Sequence, residues 1–354
     1  MKRSIIFETL SAPIRIAIGI PQTLKIVTEP SYFPEEGRKN RFVRTLDNLD
    51  WLFKYREANR FYNLYGFDLD RNRGIEKTYN DYLSFAHKRD EYNLIKEVNS
   101  QVILLRDKYL FYKFMKSNNM PVPDVFAVLR NGKLYDSNMK STLEDVLLDE
   151  TDYFVKEIDG ECASYVRHIR DYKDYKAIKK EIFGHNCLFQ RTVHQCEQMN
   201  RLNQNAINTL RIITVYNHGI PYVFSAVLRM GTNRTGSVDN WAKGGLVVGI
   251  QKNGYLKKYG FYKPHYGGKT DRHPDTKIVF SDFCVPRFEE ACSLACKAHG
   301  LFYNVQTIGW DIAITDNGLS FIEGNDNWEI SLQQSVDGGL KKEWNEVIRQ
   351  CQKL

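Results

Sequence analysis

Apolar positions in this chain recur first at helical and later at strand spacing. From Asn40 to Tyr65, Phe42, Val43, Leu46, Leu49, Phe53 and Phe61 predict a helical stretch, with Pro30 and Pro34 in the loop before it. Arg106 to Asn119 (RDKYLFYKFMKSNN) predicts a helix that Pro121 and Pro123 forbid from continuing. The period then shortens to two, giving strands at Val125 to Leu129, Tyr153 to Ile158 and Asn186 to Val193, with a helix from Asp171 to Glu181 between the last two. From Thr209 the chain reads mostly as strand. TLRIITVY and PYVFSAVLRM flank a turn at Asn217-His218-Gly219, and GGLVVGI and YLKKYGFY flank Asn253-Gly254. Pro286 opens a helix to His299, and DIAITDNGLSFIEGN predicts a hairpin turning at Asp316-Asn317-Gly318. Strand pairs mixed with helices imply an α+β fold, and there is no repeat with a period of roughly 20–50 residues.

A chain of 354 residues can bury about 75% of its unfolded surface without covalent staples, and its length suits two or three domains. With 42% hydrophobic residues, 21 Tyr and 20 Phe, it is not a disordered polymer. The net charge of +7 comes without the arginine-rich or lysine–aromatic runs of a nucleic-acid binder. It suits ATP and an acidic second substrate, and it also suits an ordinary basic surface. The seven cysteines, Cys162, Cys187, Cys196, Cys284, Cys292, Cys296 and Cys351, are odd in number and irregularly spaced. No second pair completes a zinc site with Cys292 and Cys296, so reduced thiols in a cytoplasmic protein are expected. The apolar stretch from Ile5 to Ile20 is interrupted by Glu8, Pro13 and Arg15, which excludes a membrane span and leaves peripheral contact with a membrane surface open. Residues 1–100 carry no chemical motif and are expected to be mainly helical, a packing or substrate-capping region.

Chemistry concentrates near the end of the chain. If the last two strands pair, Asp311 and Glu323 meet at one end, and alternation puts Glu323 and Asn325 on one face. Two carboxylates and a carboxamide oxygen suit Mg²⁺; a polar hairpin end with satisfied side chains is the competing reading. Arg211 and Arg229 lie in apolar strands, where a guanidinium is costly without an anion. That anion is either a phosphate or an internal carboxylate. Asp239-Asn240-Trp241-Ala242-Lys243-Gly244-Gly245 supplies a cation, an amide and paired glycines, the ingredients of a phosphate cradle. His265, His273 and His299 are far apart and read as structural or surface residues.

The segments LNQNAINTLRI (202–212), VDNWAKGG (238–245), IGWDIAI (308–314) and FIEGN (321–325) resemble the ATP-grasp superfamily, specifically its sugar-transfer associated subgroup. The similarity covers roughly residues 100 to 335 and is strongest after 186. It implies the ATP-grasp fold, two α+β subdomains clasping ATP, preceded by the mainly helical region 1–100. The smaller nucleotide-clasping subdomain would span 101–193, and the larger one, with the metal and catalytic site, 194–354. The resemblance implies that Asp311, Glu323 and Asn325 hold two Mg²⁺ ions, Mn²⁺ being a substitute, with Glu323 bridging. Lys108 and Lys156 would bind nucleotide phosphates, Gly160 to Ser164 would form the loop over them, and Gln190 to Val193 the hinge at adenine. Glu197 would reach the ribose. Arg211, Arg229 and Asn240 would surround the γ-phosphate and the acyl-phosphate, and Lys243 of the cradle segment is a further catalytic candidate. The chain departs from the family in having Lys156-Glu157 where Lys-Pro is common, a single glycine at 160, and Gln190 in place of a hinge Glu.

The implied activity is a carboxylate–amine ligase with an acyl-phosphate intermediate, acting in surface-polysaccharide assembly. Its substrates would be a small carboxylate, such as a uronic acid or sugar-linked acid, and an amine such as an amino acid. A kinase of a small metabolite or sugar on the same fold, and a non-catalytic nucleotide-binding scaffold, are the alternatives.

Overall fold

The structure, a computed structural model, describes residues 2–70, 79–95, 100–141, 152–160, 165–217, 219–236 and 239–352. Helices α1 (Lys2–Thr28), α2 (Arg41–Tyr55) and α3 (Phe85–Ile95) come first, followed by the short α4 (Ile103–Arg106) and α5 (Lys108–Ser117). A smaller α+β unit follows: β1 (Val125–Arg130), β2 (Lys133–Asp136), β3 (Tyr153–Glu157), β4 (Val166–Ile169), α6 (Tyr172–Ile182) and β5 (Cys187–Arg191). The one-turn α7 (Glu197–Asn200) leads to β6 (Thr209–Asn217), β7 (Ile220–Met230), β8 (Leu246–Ile250), β9 (Leu256–Tyr262) and β10 (Lys269–Thr270). The chain ends with α8 (Phe288–His299), β11 (Thr307–Thr315), β12 (Gly318–Asn325), α9 (Ile330–Asp337) and α10 (Lys341–Gln352). The strands form a five-stranded sheet in the order β2-β1-β5-β3-β4 and a seven-stranded sheet in the order β10-β9-β8-β7-β6-β11-β12, antiparallel at every pairing.

Period-two alternation sorts the larger sheet into two buried faces. Leu210, Ile212, Leu228, Met230, Trp310 and Ile312 point one way and pack with Ala291, Ala295 and Ala298; these alanines form the small-residue stripe of α8. On the other face Val227, Val247 and Phe261 meet Trp51, Tyr62, Leu64 and Tyr65 of the N-terminal region. Ile213 and Val215 meet Trp328 and Trp344 beside them. The described part of the first hundred residues is therefore packed onto the larger sheet.

Two expected helices are broken by capping. The run from Arg106 divides because Asp107 accepts from the Tyr109 and Leu110 amides at 2.9 and 2.8 Å, ending α4 and starting α5. The run from Asn40 begins as read, with Asn40 accepting from the Val43 amide at 2.9 Å. It ends at Arg56, which adopts a left-handed φ of 56°. Phe61 lies beyond the helix and stacks on Tyr65 and Trp241. The apolar stripe of this helix points outward: Phe42 is 71% exposed and Phe53 59%, while Asn48, Trp51 and Leu52 turn inward. The cysteines among the described residues are free; Cys162 lies outside them.

Candidate functional site

The site is a row of side chains running across one end of the larger sheet. Arg211 stands opposite Asp311 on β6 and β11, and Asp311 stands opposite Glu323 on β11 and β12. Directly opposed residues share a face, so the three side chains meet. Thr209, two residues before Arg211, is opposite Arg229 on β7, which places Arg229 on the same face.

The row is tied together by charge. Arg211 donates from Nε to Asp311 Oδ1 at 2.5 Å and from Nη2 to Oδ2 at 2.8 Å. Arg229 donates from Nη1 to Asp311 Oδ2 and from Nη2 to Asp239 Oδ1, both at 2.8 Å. Thr209 in turn donates its hydroxyl to Asp239. Burial alone would raise the Asp311 pKa, but Arg211 and Arg229 hold that carboxyl well below the usual range. The Glu323 carboxyl shifts the other way, pushed up by burial and by Asp311. Each strand arginine thus has an internal carboxylate partner, and both lie beside a carboxyl left short of positive charge.

Beside the row lies a cavity of about 210 Å³ between the two sheets, whose lining includes Lys108, Lys156, Gly160, Gln190, Glu323 and Asn325. Six residues singled out from the sequence, spread over more than two hundred positions, thus share one cavity. Lys156 Nζ donates to Gln190 Oε1 at 2.6 Å, and burial lowers its pKa to about 8. Lys108 donates its ammonium to the Gly160 carbonyl, and its amide donates to Ile158 O at 2.9 Å. The loop after β3 is therefore fastened to the start of α5. Phe111, Leu188 and Phe321 complete an apolar wall.

Other expected residues lie elsewhere. Ser164 is outside the described residues. The lining, among described residues, does not include Val193 or Glu197, and Glu197 is exposed on α7. Asn240 caps the turn at Trp241–Lys243, accepting from the Ala242 amide at 2.8 Å. The paired glycines have separate causes. Gly244 has a φ of 99°, and a Cβ on Gly245 would approach the Asp239 carbonyl oxygen to 2.7 Å. His273 and His299 are buried against the Gly231 and Val305 carbonyls, at 2.9 and 2.6 Å. His265 is surface-lying, 3.6 Å from Glu29.

Sequence reasoning missed two parts of the site. Asp239 is the second anchor of Arg229, and its only signal was its place beside Asn240 in the VDN segment. Arg106 clasps Asp326 through two hydrogen bonds, at 2.9 and 2.6 Å, fixing α4 to the end of the FIEGN strand. An acid directly after that strand was the available clue.

The donor set fits Mg²⁺. Asp311 and Glu323 offer carboxylate oxygens in side-chain contact. Asn325 donates Nδ2 to Glu323 Oε1 at 3.2 Å and to Gly309 O at 3.4 Å, which turns its carbonyl oxygen away from those acceptors. Two such acids beside a cavity lined by two lysines offer the hard oxygen donors that suit Mg²⁺. Among the described residues no cluster of three or more His, Cys, Asp or Glu is placed to hold a metal ion.

No curated protein matches this sequence. Among solved structures, the biotin carboxylase domain of Hydrogenobacter thermophilus 2-oxoglutarate carboxylase, described with MgADP and bicarbonate, is 13% identical. It has a TM-score of 0.46 over 76% of this chain and 51% of that one. The ATP-grasp ligase PsnB with its minimal precursor is 13% identical, with a TM-score of 0.39 over 69% and 60%. N5-carboxyaminoimidazole ribonucleotide synthetase from Thermotoga maritima is 13% identical, with a TM-score of 0.38 over 70% and 49%. The chain thus spans between about half and three fifths of the solved chains it matches. Residues 183–349, which carry the whole charged row, match the family described as Sugar-transfer associated ATP-grasp. That match covers a little under half of the chain, and over it the sequence is similar to sugar-transfer associated ATP-grasp proteins.

Proposed function

We propose that this protein is an ATP-dependent, ADP-forming carboxylate–amine ligase that works through an acyl-phosphate, with a sugar carboxylate such as a uronic acid as one substrate and an amino acid or other amine as the second. The observation that carries this reading is the junction of the row Arg229–Arg211–Asp311–Glu323 with a cavity bearing Lys108 and Lys156. Such a junction suits a triphosphate whose terminal phosphoryl lies over the row.

In the first half-reaction a substrate carboxylate oxygen attacks the γ-phosphorus. The new O–P bond forms as the bond to the β-phosphate oxygen breaks, and ADP leaves. Lys108 and Lys156 neutralise the nucleotide's phosphates, and Arg211 and Arg229 face the charge on the transferring group. In the second half-reaction an amine nitrogen attacks the acyl carbon, phosphate departs with the C–O bond pair, and the nitrogen loses a proton. The chain supplies no covalent nucleophile: its residues position, neutralise and exclude water. Asp311, Glu323 and Asn325 are the residues that would hold Mg²⁺, two ions by the family resemblance with Mn²⁺ as a substitute, and the metal supplies further neutralisation of phosphate oxygens. Asn240 and Lys243 would bound the γ-phosphate end, while Val193, just past β5, and Glu197, at the start of α7, would reach adenine and ribose.

The test is a panel of uronic acids crossed with amino acids, with ADP, free phosphate and product mass measured. ADP and phosphate released only when both substrates are present supports the ligase. A phosphorylated product formed without an amine would replace it with the kinase reading, and nucleotide binding with no turnover would leave a scaffold.

A further inference from the structure

Helices α1 and α2 are apolar on the sides turned away from the rest of the protein. On α1, Ile14, Ala17, Ile18, Pro21, Leu24 and Lys25 are all exposed and fall within an arc of about 120° at 3.6 residues per turn. Ile14 is 63% exposed, Ile18 57% and Leu24 51%. The opposite stripe, Gly19, Thr23, Ile26 and Val27, is buried. A Cβ on Gly19 would stand 2.3 Å from a Leu52 methyl, so α1 is seated closely on α2. On α2 the residues Phe42, Leu46, Leu49 and Phe53 lie within about 60°, on the side away from buried Trp51. A helix apolar on both sides belongs in a core or at an apolar boundary. Among the described residues no helix is long and apolar enough to cross a membrane.

The charge around these stripes is one-sided. Among the residues from Pro13 onward whose exposure is described, Arg15, Lys25, Arg41, Lys54 and the capping Arg56 are exposed, against one exposed acid, Asp50, on the two helices. From Pro13 to Thr28, α1 contains Arg15 and Lys25 and no acid. An apolar stripe with a cationic border is the pattern of a helix lying in the headgroup layer. A second copy of this chain is disfavoured as the occupant, because its own cationic border would face this one across the contact.

We propose that α1 and α2 seat the protein on an anionic lipid surface, with Ile14, Ile18, Phe42 and Leu46 entering the acyl boundary and Arg15, Lys25 and Arg41 meeting phosphate headgroups. This docking is separate from the nucleotide site and stands whether or not the ligase reading holds.

The experiment is co-sedimentation of the full chain with vesicles of phosphatidylcholine alone and of phosphatidylcholine mixed with phosphatidylglycerol. Binding to the mixed vesicles only, falling as salt rises, is expected. The variant Ile14→Ser/Ile18→Ser/Phe42→Ser/Leu46→Ser should lower the partition coefficient by about tenfold or more. Arg15→Glu/Lys25→Glu/Arg41→Glu should abolish the preference for anionic lipid. Both variants should keep the wild-type circular dichroism and melting temperature, since the altered side chains are exposed. Absence of binding to either vesicle overturns the proposal. So does binding untouched by both variants, or a dimer in sedimentation that the serine variant converts to monomer without any vesicle binding.

Discussion

Arg211 holds Asp311 side-on from the neighbouring strand, with contacts of 2.5 and 2.8 Å. Asp311 is consequently ionised and neutralised by protein alone, whereas Glu323, its partner across the next ladder, is pushed toward its neutral form. Two carboxyls in one row are thus prepared for different tasks. One organises the arginines, and the other gains most from an arriving cation.

Replacing Asp311 with Asn would leave two buried guanidiniums short of their anion. The expected loss of stability is about 3–5 kcal/mol, the scale for removing one partner of a buried ion pair. Urea denaturation of the purified variant checks this. A loss well below that range would mean that Arg229 transfers its contact to Asp239 at little cost.

Glu323→Gln should behave in the opposite way. It removes a carboxylate that burial and Asp311 already disfavour, so the melting temperature should hold or rise. Metal-dependent turnover should fall by orders of magnitude, each 1.36 kcal/mol of lost Lewis-acid stabilisation being tenfold in rate. Melting and turnover measured on one preparation separate the roles. A destabilised variant that turns over normally would refute the metal assignment.

ATP should raise the melting temperature far more with Mg²⁺ or Mn²⁺ than with chelator present, the bound Mg-ATP adding about 2.7 kcal/mol of stability at a hundredfold excess over Kd. Lys108→Ala and Lys156→Ala should weaken that stabilisation and raise the KM for ATP. Arg211→Lys, which keeps charge but loses the side-on fork, should instead lower kcat. Titrations of each variant with Mg-ATP check the division. Equal KM effects in all three, with kcat untouched, would contradict it.

The fold was largely legible because the strands announce themselves by β-branched alternation and the hairpins by Asn-Gly turns. The turn at Gly318 sets the register of the last hairpin only as far as Ile312 opposite Phe321; a bulge beyond it shifts the ladder by one residue and brings Glu323, rather than Ile322, opposite Asp311, which the turn residues alone do not announce. What stayed hidden depends on contacts far along the chain. Nothing near Phe42 or Phe53 says that their face is outward, since the apolar pattern is the same for a buried and an exposed stripe. Asp107 was legible as a cap only once α4 was seen to end one residue earlier. Arg229's division between Asp239 and Asp311 needs three strands and a loop to be in place at once.

A pH effect on stability should arise at Lys88. It is fully buried, donating to the Trp328 carbonyl at 2.8 Å and lying 4.0 Å from the Trp328 ring centroid. Burial pushes its ammonium down to about 7, against the attraction of Glu329 and Asp326. Between pH 7 and its ordinary value of 10.5 the unfolded chain holds a proton that the folded chain releases. This group therefore makes stability rise with pH across that window, by up to about 1.4 kcal/mol per unit. Lys88→Met should be more stable than wild type at pH 7, with the difference shrinking toward pH 10. Denaturant curves at several pH values check the sign, and a gap that widens with pH would reverse it.

The packing of the first hundred residues onto the site-bearing face of the larger sheet limits how this protein can be divided. Val227, next to Arg211 in the register, and Val247 and Phe261 beyond it are covered by Trp51, Tyr62 and Tyr65. Phe61 lies parallel to Trp241, within 5.9 Å between ring centroids, on the turn that carries Asn240 and Lys243. Tyr32 reaches across to donate its hydroxyl to the Tyr262 carbonyl at 3.0 Å. A fragment trimmed to the segment with the recognisable motifs would keep every charged residue of the row and lose the wall behind it. Its central strands would be left with wet aromatic-sized hollows, and the Asn240 turn would lose its stacking partner. The stretch that carries the recognisable motifs is therefore shorter than the set of segments that share one packed core.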